Sequence, residues 1–402
     1  MKTYMENLRE SNDFLNLLLD NINSAVLVSD ENLQIHQFND AFLNLFDSAK
    51  IGETDRSFGR VTGCVNAVRE NKRCGETSRC GTCVLRRSLI KTLTENAPVD
   101  RVRLERVFYI DGEPTQKYLE FSARPIDFQG RKLILVIIYD ITNIEQQKLE
   151  LERKQVQLDQ DLVAAAEIQK SLLPNHLPNI KNLDISWRFE PCEQIGGDIF
   201  NIHPLDNSQI GLYMADVCGH GVPAALISVA VSQFFQTRYN LMTDDAKIVS
   251  PESLLHNLDK AFPFERFESF FSVIYMNIDH SRGRLQYSSA GHPAPILMRA
   301  DGDLEFLNHH GPIIGSGSEG SFNMQEKQLH PGDIILLYTD GVLESHNDSQ
   351  GFYGQKRLRN LVRQNKDATA QELVDTLYDD IRSYQKGVTP VDDISIMAVR
   401  YL

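Results

Sequence analysis

The sequence is short of cationic charge, of long apolar runs and of cysteine, and each shortage excludes something. Against 55 acidic side chains stand 41 basic ones, a formal net charge of −14, so no general affinity for a nucleic-acid backbone is expected. The longest apolar run, around Leu133–Tyr139, falls well short of the ~20 residues that span a bilayer. The opening Met1-Lys2-Thr3-Tyr4-Met5-Glu6 lacks the cationic-then-apolar pattern of a secretory leader. A cytoplasmic location without membrane association is therefore expected. In that compartment six cysteines are thiols or ligands rather than disulfides. At 402 residues the chain is long enough for two or three domains, each with its own core.

What is present is unevenly spread. Residues 1–150 hold 20 basic and 22 acidic side chains, leaving 21 and 33 for the remainder. The acidity thus sits C-terminally, where it suits divalent cations. Residues 10–142 read as a small α+β unit: an amphipathic helix at Phe14–Leu19, strands at Ala25–Ser29 and Leu33–Phe38, short helical pieces, then strands at Val102–Ile110, Lys117–Pro125 and Lys132–Tyr139. Asn39 follows the second strand, and Asp140-Ile141-Thr142 closes the last. On these features the segment resembles a PAS domain, which implies a sensor.

Residues 143–176 lack glycine and carry no proline before Pro174. Ile144, Leu151, Leu158, Ala165 and Leu172 fall seven apart, one seam of a heptad. The companion seam, Lys148, Gln155, Leu162 and Gln169, is mostly polar. This pattern predicts a helical linker that pairs with a second copy as a weak parallel coiled coil, and hence a homodimer. A single helix lying on a domain surface is the alternative.

From residue 177 to 402 the pattern is strand-rich, with helices at Pro223–Tyr239, Pro251–Phe262, Gln355–Gln364 and Ala370–Gln385. Many antiparallel strands with helices outside predict a two-sheet sandwich. Four aspartates mark its strand ends: Gly-Gly-Asp at 196–198, Ala-Asp-Val-Cys-Gly-His-Gly at 215–221, Tyr-Thr-Asp-Gly at 338–341 and Val-Asp-Asp-Ile-Ser at 391–395. Hard oxygen ligands converging from several strands hold Mg²⁺ or Mn²⁺. Two such ions can activate water and clamp a phosphate. The Val217 carbonyl is a further candidate ligand. Gly219-His220-Gly221 opens a helix whose N–H groups favour anions.

These motifs, with Ser-Ala-Gly-His-Pro at 289–293 and the upstream Ala166-Glu167-Ile168-Gln169-x-x-Leu172-Leu173-Pro174, occur in this order in bacterial type 2C serine phosphatases. Residues 160–402 resemble the stress-response and sporulation regulators of that family. The resemblance implies an α-β-β-α sandwich holding two Mn²⁺ or Mg²⁺, with Asp216 bridging the metals and Asp198 on one of them. Asp340 and Asp392 would complete the ligands of the second metal, with Asp393 supporting them from behind. It further implies direct attack of a metal-activated water on phosphoserine or phosphothreonine. The substrate would be a phosphorylated anti-anti-sigma protein of the STAS type, in a partner-switching pathway. His220 and His292 are candidates for general acid or phosphate orientation; each could equally be a structural turn histidine.

Two other readings stay open. Gly196-Gly197-Asp198-Ile199-Phe200 resembles a diguanylate cyclase signature, but its fourth residue is Ile199 where an acid is required, and Asp340 and Asp392 are left without a role. A catalytically silent, partner-binding pseudophosphatase would be expected to lack a motif aspartate, and none is missing. Separately, Cys64, Cys74, Cys80 and Cys83 are spaced C-x9-C-x5-C-x2-C among seven basic and two acidic residues between 64 and 91. That pattern suits Zn²⁺ or a [4Fe–4S] cluster and leaves the choice open.

Overall fold

Five apolar segments of the N-terminal part pair into one antiparallel sheet: β1 (Ala25–Ser29), β2 (Ile35–Phe38), β3 (Val99–Ile110), β4 (Glu113–Phe128) and β5 (Arg131–Asp140), in the order β2-β1-β5-β4-β3. The structure, a computed structural model, describes residues 17, 19–46, 56–174, 180–242, 247–308, 311–317 and 320–402. Most of the predicted helix at Phe14–Leu19 lies outside the described residues. The three long strands outrun their apolar runs because the hairpin ladders continue into exposed charged ends. Asp111-Gly112, both at positive φ (54° and 83°), makes the tight β3–β4 turn.

Helices Asp40–Phe46 and Val84–Glu95 press Phe42, Phe46, Leu85 and Leu89 into the core of this sheet, against Phe108 and Phe121. Asn39 ties the chain before β1 to it. Its Nδ2 donates to the carbonyls of Leu19, Ile22 and Ser24, while its Oδ1 accepts from the N–H of Val26. Asp140 accepts from the Thr142 N–H at 2.9 Å and pairs with Lys117 at 2.8 Å, which fixes the turn into the next helix.

That helix runs Thr142–Leu172, two residues short of Pro174, because a residue before proline is pushed out of the helical region. Midway along this helix the chain divides into two compact units, 1–156 and 157–402. The expected seam residues Ile144, Leu151 and Leu158 are 65%, 68% and 57% exposed. Gln169, expected in the polar companion seam, is instead buried.

The second unit stacks two five-stranded sheets. One is ordered β13-β10-β9-β8-β7 and the other β12-β11-β14-β17-β6. Their strands are β6 (Leu183–Glu190), β7 (Ile199–Pro204), β8 (Gln209–Val217), β9 (Phe271–Asp279), β10 (Arg284–Ala290), β11 (Ile296–Met298), β12 (Leu304–Phe306), β13 (Gln325–Gln328), β14 (Ile334–Tyr338) and β17 (Ile394–Tyr401). A two-stranded ribbon, β15 (His346–Asn347) with β16 (Gly351–Phe352), lies outside them. Period-2 alternation decides the faces. Along β17, Met397 and Val399 join the core shared by both sheets, while Ile394, Ile396 and Ala398 face the core formed with helices Gly354–Gln364 and Ala370–Gln385. Helices Gly221–Gln236 and Pro251–Ala261 supply Val231, Phe235, Leu254 and Leu258 to the first core. The sandwich with outer helices is thus observed. The short β7, hidden in the sequence behind Gly-Gly-Asp, is an addition to it.

Candidate active site

The two sheets place their motif-bearing strand ends on one edge of the sandwich. Asp216 is the next-to-last residue of β8, Asp340 opens the one-turn helix Asp340–Glu344 after β14, and Asp392 stands two residues before β17. A cleft of about 840 Å³ is lined by Asp216, Val217, Asp340 and Asp392, with His220 and His292 on its walls. Asp198 lies beneath this lining rather than on it. It is buried, and its Oδ2 accepts hydrogen bonds from Thr339 Oγ1 at 2.8 Å and Ser395 Oγ at 2.7 Å. The Thr of Tyr-Thr-Asp-Gly and the Ser of Asp-Asp-Ile-Ser therefore serve the Asp of Gly-Gly-Asp, a link that no single motif reveals.

Asp393 is the hub that locks these turns together. Its Oδ2 accepts from the N–H of Gly197 at 2.6 Å and of Asp198 at 3.2 Å, and its Oδ1 accepts from Cys192 N–H at 2.8 Å. The glycines are forced by this closeness. A Cβ on Gly196 would collide with the Asp393 carboxylate, and one on Gly341 with the Asp393 carbonyl. On Gly197 it would lie 2.7 Å from the Val217 carbonyl. The Gly196–Phe200 segment runs straight into β7, which pairs with β8.

Gln169, in the helix Thr142–Leu172, grips the same turn from the other side. Its Nε2 donates to the Gly196 carbonyl at 2.7 Å and to Ser228 Oγ at 3.0 Å, and its Oε1 accepts from the Gly196 N–H at 3.1 Å. The heptad reading assigned this glutamine to a coil. The signal that separates the two roles is its place in Ala-Glu-Ile-Gln, beside the apolar Leu172-Leu173.

Electrostatically the site is crowded with like charge. Burial, then the charges of Asp340, Asp392 and Asp393, push the Asp216 carboxyl up to about 8. Burial and Glu344 raise Asp340. Burial also raises Asp392, with Asp340 and Asp393 adding to it against the opposing hydrogen bond from the Asp393 N–H. Burial beside Asp216 and Asp393 holds Asp198 well above the usual carboxylate range, despite the Ser395 and Thr339 hydrogen bonds. No lysine or arginine lines the cleft among the described residues. Such a set of hard oxygens with uncompensated negative charge fits divalent cations such as Mg²⁺ or Mn²⁺. Among the described residues no three His, Cys, Asp or Glu side chains form a group tight enough to grip one ion as they stand.

Of the two histidines, His220 is exposed at the start of helix Gly221–Gln236, its Nδ1 3.0 Å from Glu193 Oε1. His292 is buried, with Nδ1 2.9 Å from Ser272 Oγ. Neither Glu193 nor Ser272 is marked by the motifs. Cys218 is exposed on the cleft wall, and the Cys192 thiol is pushed up to about 12 by burial and the neighbouring Asp393. In the N-terminal unit the structure brings Cys64, Cys74, Cys80 and Cys83 to the wall of one cavity.

Comparison with known proteins places the second unit. Residues 206–402 match the family model of Stage II sporulation protein E (SpoIIE). The chain is 27% identical over 283 residues to Phosphoserine phosphatase RsbU of Bacillus subtilis (strain 168), covering 70% of this chain and 82% of that one. It is 28% identical over 185 residues to Phosphoserine phosphatase RsbP of the same organism, covering 46% of this chain and 45% of that relative. Among solved structures, the SiaA-PP2C domain of Pseudomonas aeruginosa superposes with a TM-score of 0.55 at 22% identity, covering 62% of this chain and 99% of that domain. The last likeness concerns the fold. No described helix is long and apolar enough to cross a membrane.

Proposed function

We propose that this chain, whose C-terminal unit is a serine phosphatase domain of the SpoIIE family, hydrolyses phosphoserine or phosphothreonine on a small protein of the anti-anti-sigma (STAS) type within a partner-switching pathway. The observation that carries the reading is the gathering of Asp216, Asp340 and Asp392 on one cleft, with Asp198 beneath Asp216. Asp198, Asp216, Asp340, Asp392 and the Val217 carbonyl would hold two Mn²⁺ or Mg²⁺. When bound, such ions lower the pKa of water and offset charge building on the phosphate.

The chain's own residues do the rest. Asp393 and Gln169 hold the Gly196-Gly197-Asp198 turn rigid, so that ligand positions do not drift, as a preorganised site requires. Helix Gly221–Gln236 opens directly after Gly219 and His220 of the cleft lining, and its first N–H groups would receive phosphate oxygens. His220, held by Glu193, stands at the rim where it can orient the phosphate or hand a proton to the leaving serine oxygen. The buried His292 packs against Ser272 on the cleft wall and acts as a structural support.

The N-terminal unit is read as the regulator. Its sheet order β2-β1-β5-β4-β3 and the closing Asp140-Ile141-Thr142 support a PAS-like sensor. The exposed stripe Ile144, Leu151 and Leu158 supports pairing of the linker with a second copy. The chemical test is phosphate release from a phosphoserine peptide in the presence of Mn²⁺. Asp216→Asn and Asp340→Asn are each expected to lower turnover at least about hundredfold while leaving the circular dichroism spectrum unchanged. Turnover within tenfold of the parent in both variants would reject the site.

A further inference from the structure

The cysteine cavity lies in a different unit from the phosphatase cleft, and none of its residues is used there. It is enclosed in the core of the β1–β5 sheet, and apolar side chains such as Phe58, Leu89 and Phe108 form much of its wall. Its polar wall consists of the four thiols, Thr77 and two guanidinium groups, Arg86 and Arg106. Cys64, Cys80 and Cys83 are buried. Three buried thiols and a half-buried one, gathered from separate segments around one cavity with two guanidinium groups, are what a thiolate-held ligand requires.

The local fold is shaped to bring the sulfurs in. Gly59 permits the approach of Cys74, since a Cβ there would lie 3.1 Å from Cys74 Sγ. Gly75 sits at φ +113°, where a side chain would meet the Arg86 guanidinium at 3.0 Å. Both arginines can therefore face the thiols. Arg106 Nη1 lies 3.5 Å from Cys64 Sγ, and its charge also acts on Cys80 and Cys83. The Cys80 sulfur accepts from the Gly75 N–H at 3.1 Å and lies 2.9 Å from Thr77 Oγ1. Donors aimed at sulfur, and cations beside it, are the devices that stabilise and tune a negatively charged thiolate cluster.

Spacing then separates two ligands. The spacing C-x9-C-x5-C-x2-C is not one of the usual structural-zinc patterns. All four nevertheless line one cavity of about 30 Å³, roughly twice the ~10–15 Å³ that one water needs. A single group held in it would reach all four. We infer that Cys64, Cys74, Cys80 and Cys83 ligate an iron–sulfur cluster, with Arg86 and Arg106 compensating its charge.

The test uses the full chain, purified without oxygen. Iron, acid-labile sulfide and zinc are measured per chain, and the visible spectrum is recorded before and after incubation with ferrous iron, sulfide and a thiol reductant. The expected result is about four iron and four sulfide per chain with a broad absorption near 400 nm, as four-thiolate clusters show. Cys80→Ser with Cys83→Ser should lower both contents at least fivefold. Arg106→Met should keep the cluster but speed its bleaching in air. One zinc per chain without sulfide would overturn the inference in favour of a structural ion. A parent chain that takes up neither iron nor zinc on reconstitution would overturn it too, whatever the variants do. Phosphatase turnover with Mn²⁺ is read separately, so failure here leaves the phosphatase reading intact.

Discussion

The aspartate cleft and the cysteine cavity solve opposite electrostatic problems. The cleft is open and lined with hard oxygens, and among the described residues no lysine or arginine lines it, so its charge is left to be balanced from outside. The cavity is enclosed, lined with soft sulfurs, and carries two arginines built into the chain. Hard donors in an open cleft suit ions that share their coordination with water and substrate. Soft donors in a closed, cation-flanked cavity suit a group that stays put. One site is arranged to exchange what it holds and the other to retain it.

The sharpest way to break that comparison is to remove one site and read both. Asp216→Asn should lower phosphoserine-peptide turnover at least about hundredfold while leaving the iron content of the chain within error of the parent. A parallel loss of iron would show that the sites are not separable.

Next in size is the support of the cleft. Gln169→Leu leaves both polar atoms of Gly196 without their partner in a buried turn, which costs ~1–3 kcal/mol for each such group. Turnover should fall about tenfold, with the substrate KM changing less than twofold and the Mn²⁺ requirement rising. Gln169→Glu keeps one acceptor and should recover part of the loss. Equal falls in turnover and thermal stability, with an unchanged Mn²⁺ requirement, would make Gln169 a purely structural residue.

Acidity sharpens the contrast further. The folded Asp216 carboxyl is raised to about 8 by burial and its neighbours, whereas an unfolded aspartate titrates near 3.9. Between about pH 4 and 8 the metal-free folded chain therefore binds a proton that the unfolded chain has released, so its stability falls as pH rises. With chelator present, the melting temperature should drop from pH 5.5 to pH 8. Saturating Mn²⁺ should reverse the trend, because cation and proton compete for the same oxygens. Differential scanning fluorimetry at both pH values, with and without Mn²⁺, checks the sign. The smallest effect sets the scale: Thr369→Ala removes a capping box at the start of helix Ala370–Gln385, outside the cleft lining. It should cost about 1 kcal/mol with turnover unchanged.

Much of this architecture is legible in the sequence. The aspartates could be found because each borders an apolar run, Asp198 and Asp340 directly beside glycine, and the sheets because strands such as β14 and β17 read as short, nearly continuous apolar runs. The cysteines announce themselves by spacing. What could not be read is how distant turns serve one another. Thr339 and Ser395 look like ordinary strand-end residues until the fold aims both at Asp198, 141 and 197 positions away. Gln169 obeyed a heptad register and was claimed by it, because periodicity reports which side of a helix a residue occupies and not what it meets there. β7 is not legible either, because its few apolar residues follow directly on the Gly-Gly-Asp motif.

The glutamine clamp also redraws the border of the phosphatase as a working module. The family match begins at residue 206, but Asp198 and the Gln169 that grips its turn both precede it. A fragment cut at the first strand of the sandwich, Leu183, would keep every aspartate and both sheets yet lose a fastening of the catalytic turn. Such a fragment should fold and still be a poor enzyme. The boundary that matters for inheritance, swapping or engineering of this activity therefore runs through the middle of the linker helix, ahead of Gln169.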